Sequence, residues 1–553
     1  MTIDGTTFTR LDGSDIPSLV LYTAGDPIPG DQQLSVMLVL QPAGITASDQ
    51  LTQATALGSQ PPKARRYSTR AELLARYAPD TTAVVSTAAS FGLDASPGPN
   101  PFFMELRGTV TQLNSFFQIT LTSYSRPSES GSGLRAYPGL LSAPSSIAAQ
   151  IQAVLGLSDR PQPPARTAPF DVNTVDAPSQ PGNTPGSVAA LYSFPAGAGK
   201  GQTIGFLEDT LDICRSQLKK IFERVIGHDL PPLHTVPATR EADDDCEGQL
   251  NGEAMMDIVI AGGIAYQAEL VLYGLAGLSA NGWYANFILA LAAAVFDTSY
   301  QPSVLSMSIG APEWSWSARE RAVLSWLFAV GTLVGMTSCA ATGDAGAFGD
   351  GEDPSKHLQA KIGLPSADPF VLGCGGTELL FENEKFTGEQ AWDNLGGQHK
   401  PGGTGGGISS VTPIPDYQKS LTLPKSVNKG KYAGHFLGVP DVASNASAAS
   451  GYQIGLEGSG NGHGTSAAAP LWAALVAILN ERLEAPVGYL NPAIYAFQVA
   501  GKGTCTAIET GSNGPSRWRS YWPSAGNIWN ASCGLGSPVG TALLEALRTM
   551  SSI

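Results

Sequence analysis

The chain is expected to fold as an α/β protein: a domain built on a parallel sheet, preceded by a smaller α+β domain. Three observations predict this. From residue 201 onward, short apolar strand-like runs alternate with helix-length apolar segments, the pattern of a sheet covered on both faces. Residues 1–160 instead mix an alternating strand, helical spacing and further strands. Between them lies a Pro-, Ser- and Gly-rich stretch without periodicity, and 553 residues are too many for one ordinary domain.

In the first unit, residues 1–160, DQQLSVMLVLQPAG alternates as a strand does. TRAELLARYAPD has helical spacing and ends at a proline, and FFMELRGTVTQLNSFFQITLTSY reads as strand, helix and strand. SAPSSIAAQIQAVLGL is expected to be a helix with a Ser-Ala-Pro start. Residues 161–187 are expected to be an exposed linker, open to proteolysis. In residues 188–553, GQTIGFLE, AELVLYGLA, PSVLSMSIG, GTLVGMTSCAATGD and DPFVLGCGGTEL supply strands. WYANFILALAAAVF and ARERAVLSWLFAV supply helices. Sites in such sheets lie beyond the carboxyl ends of the strands. GGTGGGISS lacks the Lys-Ser/Thr of a phosphate loop and reads as a loop of close backbone approach.

Composition excludes several classes. A formal charge of -15 speaks against a nucleic-acid partner, which draws on clustered Lys and Arg. No apolar run reaches the roughly 18 residues of a membrane span. The six cysteines include no CxxC pair, so a structural zinc site is not expected. Only 14% of residues are charged, which suits a protein working at low pH, where carboxylates neutralise.

The chemistry concentrates in GSGNGHGTSAAAP. Ser466 opens a long apolar helix, where free N–H groups and the helix dipole favour negative charge. A serine there is also an ordinary helix cap. Pro470 is expected near the first turn, where a missing N–H costs little. His463, three residues earlier, is a possible base for Ser466. Glu253 and Asp257, four apart in NGEAMMDIVIAGG, project from one helix face among apolar neighbours. Held close, such a pair retains a proton at mildly acid pH. Asp344 lies in a Gly-Asp-Ala-Gly bend just past an apolar strand.

Taken together, GTSAAAP, the Glu253–Asp257 spacing and GDAG resemble the sedolisins, the serine-carboxyl peptidases. YSTRAELLARYAPD and YPGLLSAPSSIAAQIQAVLGLSDRP resemble their propeptide, and TPGSVAALYSFPAGAGKGQTIGFLE the start of their mature domain. TGGGISS, GVPDVASNAS and CGLGSP resemble later landmarks in order. The resemblance implies a subtilisin-like parallel-sheet domain behind a ferredoxin-like prodomain. It implies Ser466 as nucleophile, Glu253 as its base, Asp257 as partner of that base and Asp344 in the oxyanion role, with Ser308, Ile309 and Gly310 binding substrate. It also implies a secreted, acid-acting endo- or tripeptidyl-peptidase, monomeric, with protein or peptide substrates. Its own prodomain would serve as intramolecular inhibitor or chaperone until the linker is cut as pH falls, when prodomain contacts made by carboxylates weaken. In acid an imidazole, with a pKa of about 6.5, is mostly protonated and a poor base, so His463 is expected to be incidental. A subtilisin-type triad would need a His-Gly-Thr helix start, which neither His228 nor His234 has.

The chain departs from the family pattern in two places. Glu208 fits the glutamate that relatives use to extend the acid network, but Ile309 replaces their tryptophan. Ala507 and Asn530 stand where two calcium carboxylates would be, so no metal cofactor is expected. A Cys505–Cys533 disulfide is expected to close that loop instead, and Cys339 and Cys374 are a second candidate pair. These losses motivate one alternative, a catalytically impaired homologue acting as a binding or scaffold protein.

Overall fold

Alternation builds the N-terminal sheet. The computed structural model describes residues 2–3, 5–125, 133–161, 183–237, 252–275, 282–348, 362–394, 402–424, 435–456, 461–514 and 520–551. In β1 (Gln33–Leu40), Val36, Leu38 and Leu40 face one core while Met37 and Val39 face another, as a period of two requires. The helices α1 (Ala47–Gly58), α2 (Arg70–Tyr77) and α3 (Thr82–Ser90) follow; β2 (Asp94–Pro97), β3 (Phe103–Thr109), α4 (Val110–Phe117) and β4 (Ile151–Leu155) complete the unit. Thr46, Thr69 and Thr109 each start a helix through a capping box with Asp49, Glu72 and Gln112. The antiparallel order β4-β1-β3-β2 is the split β-α-β-β-α-β plan of a ferredoxin-like domain.

The structure corrects one element here. SAPSSIAAQIQAVLGL is not a helix: Ser142–Pro144 pairs with Thr6–Arg10, Ala148–Gln150 is a short 3-10 turn, and Ile151–Leu155 is β4. Its alanines favour helix, but so short an apolar run is ambiguous, and the open edge of β1 captures it.

In the C-terminal unit, α5 (Pro185–Leu191) already sends Val188 and Ala189 into the core of that unit. The expected linker 161–187 lies mostly outside the described residues, which resume at Asn183. The sheet is formed by β5 (Thr203–Glu208), β6 (Leu233–Val236), β7 (Glu269–Gly274), β8 (Val304–Met307), β9 (Thr337–Ala341), β10 (Val371–Glu382), β11 (Lys385–Ala391) and β12 (Val442–Asn445). The order β6-β7-β5-β8-β9-β10-β12 is parallel throughout, and β11 adds an antiparallel hairpin to the far half of β10. One face carries α6 (Gly252–Ile264) and α9 (Thr465–Leu483), the other α7 (Trp283–Val295) and α8 (Ala318–Leu333). From β5 the chain steps to the edge strand β6, returns through β7, and then runs outward on the other side through β8, β9, β10 and β12, so the carboxyl ends of β5 and β8 flank the switch point.

Arginines bind the two units together. Arg65 donates to the carbonyls of Val487 and Tyr489, and Arg70 to those of Val295 (2.9 Å) and Pro302 (2.6 Å). From the other side Arg319 donates to the carbonyls of Asp12, Ile151 and Gln152 at 2.7–2.9 Å. Arg160 lies over the Tyr284 ring and bonds Ser315 O (2.7 Å) and Glu320 (2.9 Å). The expectation of an interface made by carboxylates is therefore corrected: of these arginine contacts, only Arg160–Glu320 uses one.

Candidate active site

The site forms where the N-terminus of α9 meets the carboxyl ends of the parallel strands. Gly464 caps α9 with φ 98°, a left-handed value that only glycine adopts cheaply. A Cβ there would also lie 2.6 Å from Asp344 Oδ2. Asp344 Oδ1 accepts the Thr465 N–H (2.7 Å) and hydroxyl (2.8 Å), so the carboxyl acts as a cap lent by a neighbouring loop. Burial pushes its pKa up, and the Thr465 bonds partly oppose this.

The GGTGGG segment holds the Asp344 loop. Gly405 N–H donates to Gly343 O (2.7 Å), Gly403 N–H to Asp344 O (2.8 Å), and Gly346 N–H to Gly403 O (2.9 Å). A Cβ at Gly405 would overlap the Thr342 carbonyl, which is the close backbone approach expected of this loop.

One turn apart on α6, which packs against α9, Asp257 is fully buried and Glu253 partly so. The Ser466 hydroxyl lies close enough to Glu253 to oppose the rise in its pKa. Burial raises both carboxyl pKa values, and the neighbouring acids raise them further: Glu253 acts on Asp257, and Asp344 and Asp209 act on Glu253. Among the described residues, Glu253 Oε1 and Asp257 Oδ1 receive no hydrogen bond, and Asp257 Oδ2 accepts the Ser308 hydroxyl at 2.8 Å. A buried pair of this kind is stable only when it keeps a proton.

Several expectations change in detail. Pro470 is the sixth residue of α9, inside its second turn rather than its first, because the helix starts at Thr465. The Ser308 side chain turns into the acid pair, and its carbonyl lies 3.5 Å from Ser466 Oγ. Ile309 packs against the core on the α7–α8 face, and a Cβ at Gly310 would lie 2.5 Å from Leu364 O. His463 Nδ1 is 2.9 Å from the Asn461 carbonyl oxygen. Glu208 is fully buried at the end of β5. Sequence reasoning missed Asp209, whose half-buried carboxyl accepts a hydrogen bond from Trp283 Nε1 at 2.8 Å. Its place at the end of a strand was the signal in the sequence, but that this strand is central is set only by the assembled sheet.

Residues 22–160 match the family described as Pro-kumamolisin, activation domain, and residues 242–500 match the Subtilase family. Kumamolisin of Bacillus sp. (strain MN-32) is 34% identical over 542 residues, covering 95% of this chain and 94% of that protein. The chain belongs to the sedolisin family of serine-carboxyl peptidases. Tripeptidyl-peptidase SED1 of Arthroderma otae is 26% identical, over 66% of this chain and 64% of that protein. The structure of Pseudomonas sedolisin, a serine-carboxyl proteinase, superposes with a TM-score of 0.55 at 22% identity. It covers 66% of this chain and 98% of that one, and shares the fold. This sedolisin-family chain is thus a peptidase precursor carrying its own activation domain, and its substrates are proteins or peptides.

The family's calcium site does not fit the residues present. Ala507 offers no ligand. Asn530 Nδ2 donates to the Ile508 carbonyl (3.2 Å), and its Oδ1 accepts the N–H groups of Ser532 (3.0 Å) and Cys533 (2.8 Å). The amide thus ties together the segments that a cation would bridge. The expected Cys505–Cys533 disulfide is corrected: both thiols are free and buried. Cys505 sits in a short strand paired with Ser537–Pro538, while Cys533 packs with Ala391, Ala443 and Ile508. Cys339 and Cys374 lie on adjacent strands as free thiols, and the Cys374 thiol donates to the Leu372 carbonyl at 3.4 Å. Cys214 is disulfide-bonded.

Proposed function

We propose that the chain is the precursor of an acid-acting serine-carboxyl peptidase. Ser466 is the nucleophile, Glu253 its general base, Asp257 the partner that carries the pair's proton, and Asp344 the donor to the oxyanion. The observation that carries this reading is the convergence of Ser466, at the N-terminus of α9, with the Glu253–Asp257 carboxyl pair, Ser308 bonding both Asp257 and Ser466.

The steps follow from the geometry. Glu253 takes the proton from Ser466 Oγ as the oxygen bonds to the scissile carbonyl carbon. The carbonyl π pair moves to its oxygen, giving a tetrahedral oxyanion. Asp344, whose raised pKa favours the protonated form in acid, donates from Oδ2, since Oδ1 is committed to Thr465. Glu253 then returns the proton to the leaving amine as the C–N bond breaks. Water, activated by the same carboxylate, hydrolyses the acyl-enzyme. A carboxylate remains a competent base at about pH 4, where imidazole is mostly protonated.

The same reading makes the enzyme calcium-independent, because Asn530 occupies the bridging position with neutral hydrogen bonds. It works outside the cell as a monomer, with no nucleic-acid or membrane partner. The disulfide at Cys214 and the acidic balance support an extracellular place. Maturation cuts the chain between residues 161 and 187. The test is incubation of the full chain at about pH 4. Wild type converts to the size of its C-terminal domain and cleaves denatured protein, whereas Ser466→Ala stays full-length. Conversion of Ser466→Ala by itself would overturn the assignment.

A further inference from the structure

The main-chain carbonyl of Ser466 has an unusual donor. In a regular helix it would accept the N–H four residues on. That residue is Pro470, which has no N–H and whose ring crowds the same carbonyl. The Ser308 hydroxyl lies 3.2 Å from this carbonyl oxygen and 2.8 Å from Asp257 Oδ2.

A hydroxyl has one proton and can accept as well as donate. If Asp257 is ionised, Ser308 donates to it and the Ser466 carbonyl loses its donor. If Asp257 carries a proton on Oδ2, the acid donates to Ser308 Oγ, and the Ser308 proton turns to the carbonyl. The second arrangement satisfies both acceptors; the first leaves a buried carbonyl unmatched, which is costly. The other titratable groups acting on the Glu253–Asp257 pair are acids: Asp344 after β9 and Asp209 just past β5. Glu208 follows the Leu207–Met307 pairing and so lies beside Ser308. Among the described residues no cation acts on either member of the pair, which leaves the choice to these hydrogen bonds.

We propose that Ser308 is a positioning residue that keeps the shared proton on Asp257, so that Glu253 is the ionised member facing Ser466. The proposal rests on the serine-carboxyl reading above. It gives Pro470 a second role: by withholding an N–H, it makes the Ser466 carbonyl the second acceptor of the Ser308 hydroxyl.

The test is a double-mutant cycle on peptide hydrolysis by the acid-converted protein, with slow variants converted by a trace of wild type. Ser308→Ala lowers kcat by about tenfold to a hundredfold while KM stays within about threefold, and Ser308→Thr recovers most of the loss. Pro470→Ala restores the helix N–H and lowers kcat several-fold. In its background, Ser308→Ala costs at most about a third of its effect in wild type. Melting curves confirm that each variant folds. Should Ser308→Ala not fold, Ser308→Cys, a weaker donor, replaces it in the cycle. An undiminished Ser308 effect in both backgrounds overturns the proposal. So does a rise in KM at unchanged kcat, which would make Ser308 a substrate contact. Glu253→Gln and Ser466→Ala, assayed in parallel, separate the two claims: if they are inactive, an additive cycle overturns only the role of Ser308, and if they are active, the reading beneath it fails.

Discussion

Asp344 shows how one carboxyl serves two partners. Oδ1 is held by Thr465, and Oδ2 faces Gly464 at the start of α9. An asparagine can keep an acceptor on one side and a donor on the other, and it does not ionise. Asp344→Ala is therefore expected to lower kcat by about 10²–10³-fold, whereas Asp344→Asn retains more activity. Its activity also persists to higher pH, because wild type loses the donor when Asp344 deprotonates. Equal loss in the two variants, with unmoved pH profiles, would remove Asp344 from the oxyanion role. The residue types of the site were legible in the sequence, because a serine at a helix start, two acids one turn apart and an acid after a strand are local patterns. The direction of the Ser308 side chain and the presence of Asp209 were not. Both depend on which strand ends lie side by side, and no single segment encodes that.

At the scale of elements, two connections differ from expectation and each carries a prediction. The loop expected to need calcium or a disulfide is closed by the Asn530 side chain, whose three hydrogen bonds are buried. Chelator and reductant at concentrations that spare Cys214 should leave the melting midpoint of the loop unchanged. Asn530→Ala should destabilise by roughly 1–3 kcal/mol by orphaning buried groups. A fall in the midpoint on chelation alone would restore the metal. The second connection is the prodomain interface. Arg65, Arg70 and Arg319 donate to carbonyls, which do not titrate, and although burial lowers Arg70 to about 10, it stays charged in acid. In Ser466→Ala protein nicked in the linker by another protease, prodomain and peptidase are expected to co-elute at about pH 4. Separation on acidification would place the release in Arg160–Glu320 instead. The strand β4 shows why such elements resist reading from sequence. IQAVL is helical by composition, and only the unfilled edge of β1 decides otherwise.

At the scale of the molecule, the interior holds acids whose donors are hydroxyls and amides. Glu389 accepts from Tyr192, Thr377 and Ser537, and Asp441 from Tyr495, Asn491 and the Gly373 N–H. Burial raises both, Asp441 and Asp368 to about 7, and raises Glu253, Asp257 and Asp344 as well. The sign follows from linkage. Acids raised on folding bind more protons folded than unfolded, so the stability they favour is complete below about pH 4 and is lost as pH climbs through their folded values near 7. Urea midpoints of Ser466→Ala protein should therefore be higher at about pH 4 than at about pH 7.5. A midpoint that rises toward neutrality would contradict this. The parallel sheet behind a small α+β unit was legible because strand and helix periods differ over long windows. The acid-tolerant interior showed in the sequence only as a low share of charge, since burial is a property of the assembled fold.

The central claim, that a carboxylate deprotonates Ser466, is tested most directly by kcat for peptide hydrolysis at about pH 4 in Glu253→Gln beside His463→Ala. The account predicts a loss of at least about 10³-fold for Glu253→Gln and a change within about threefold for His463→Ala. The reverse order would contradict it.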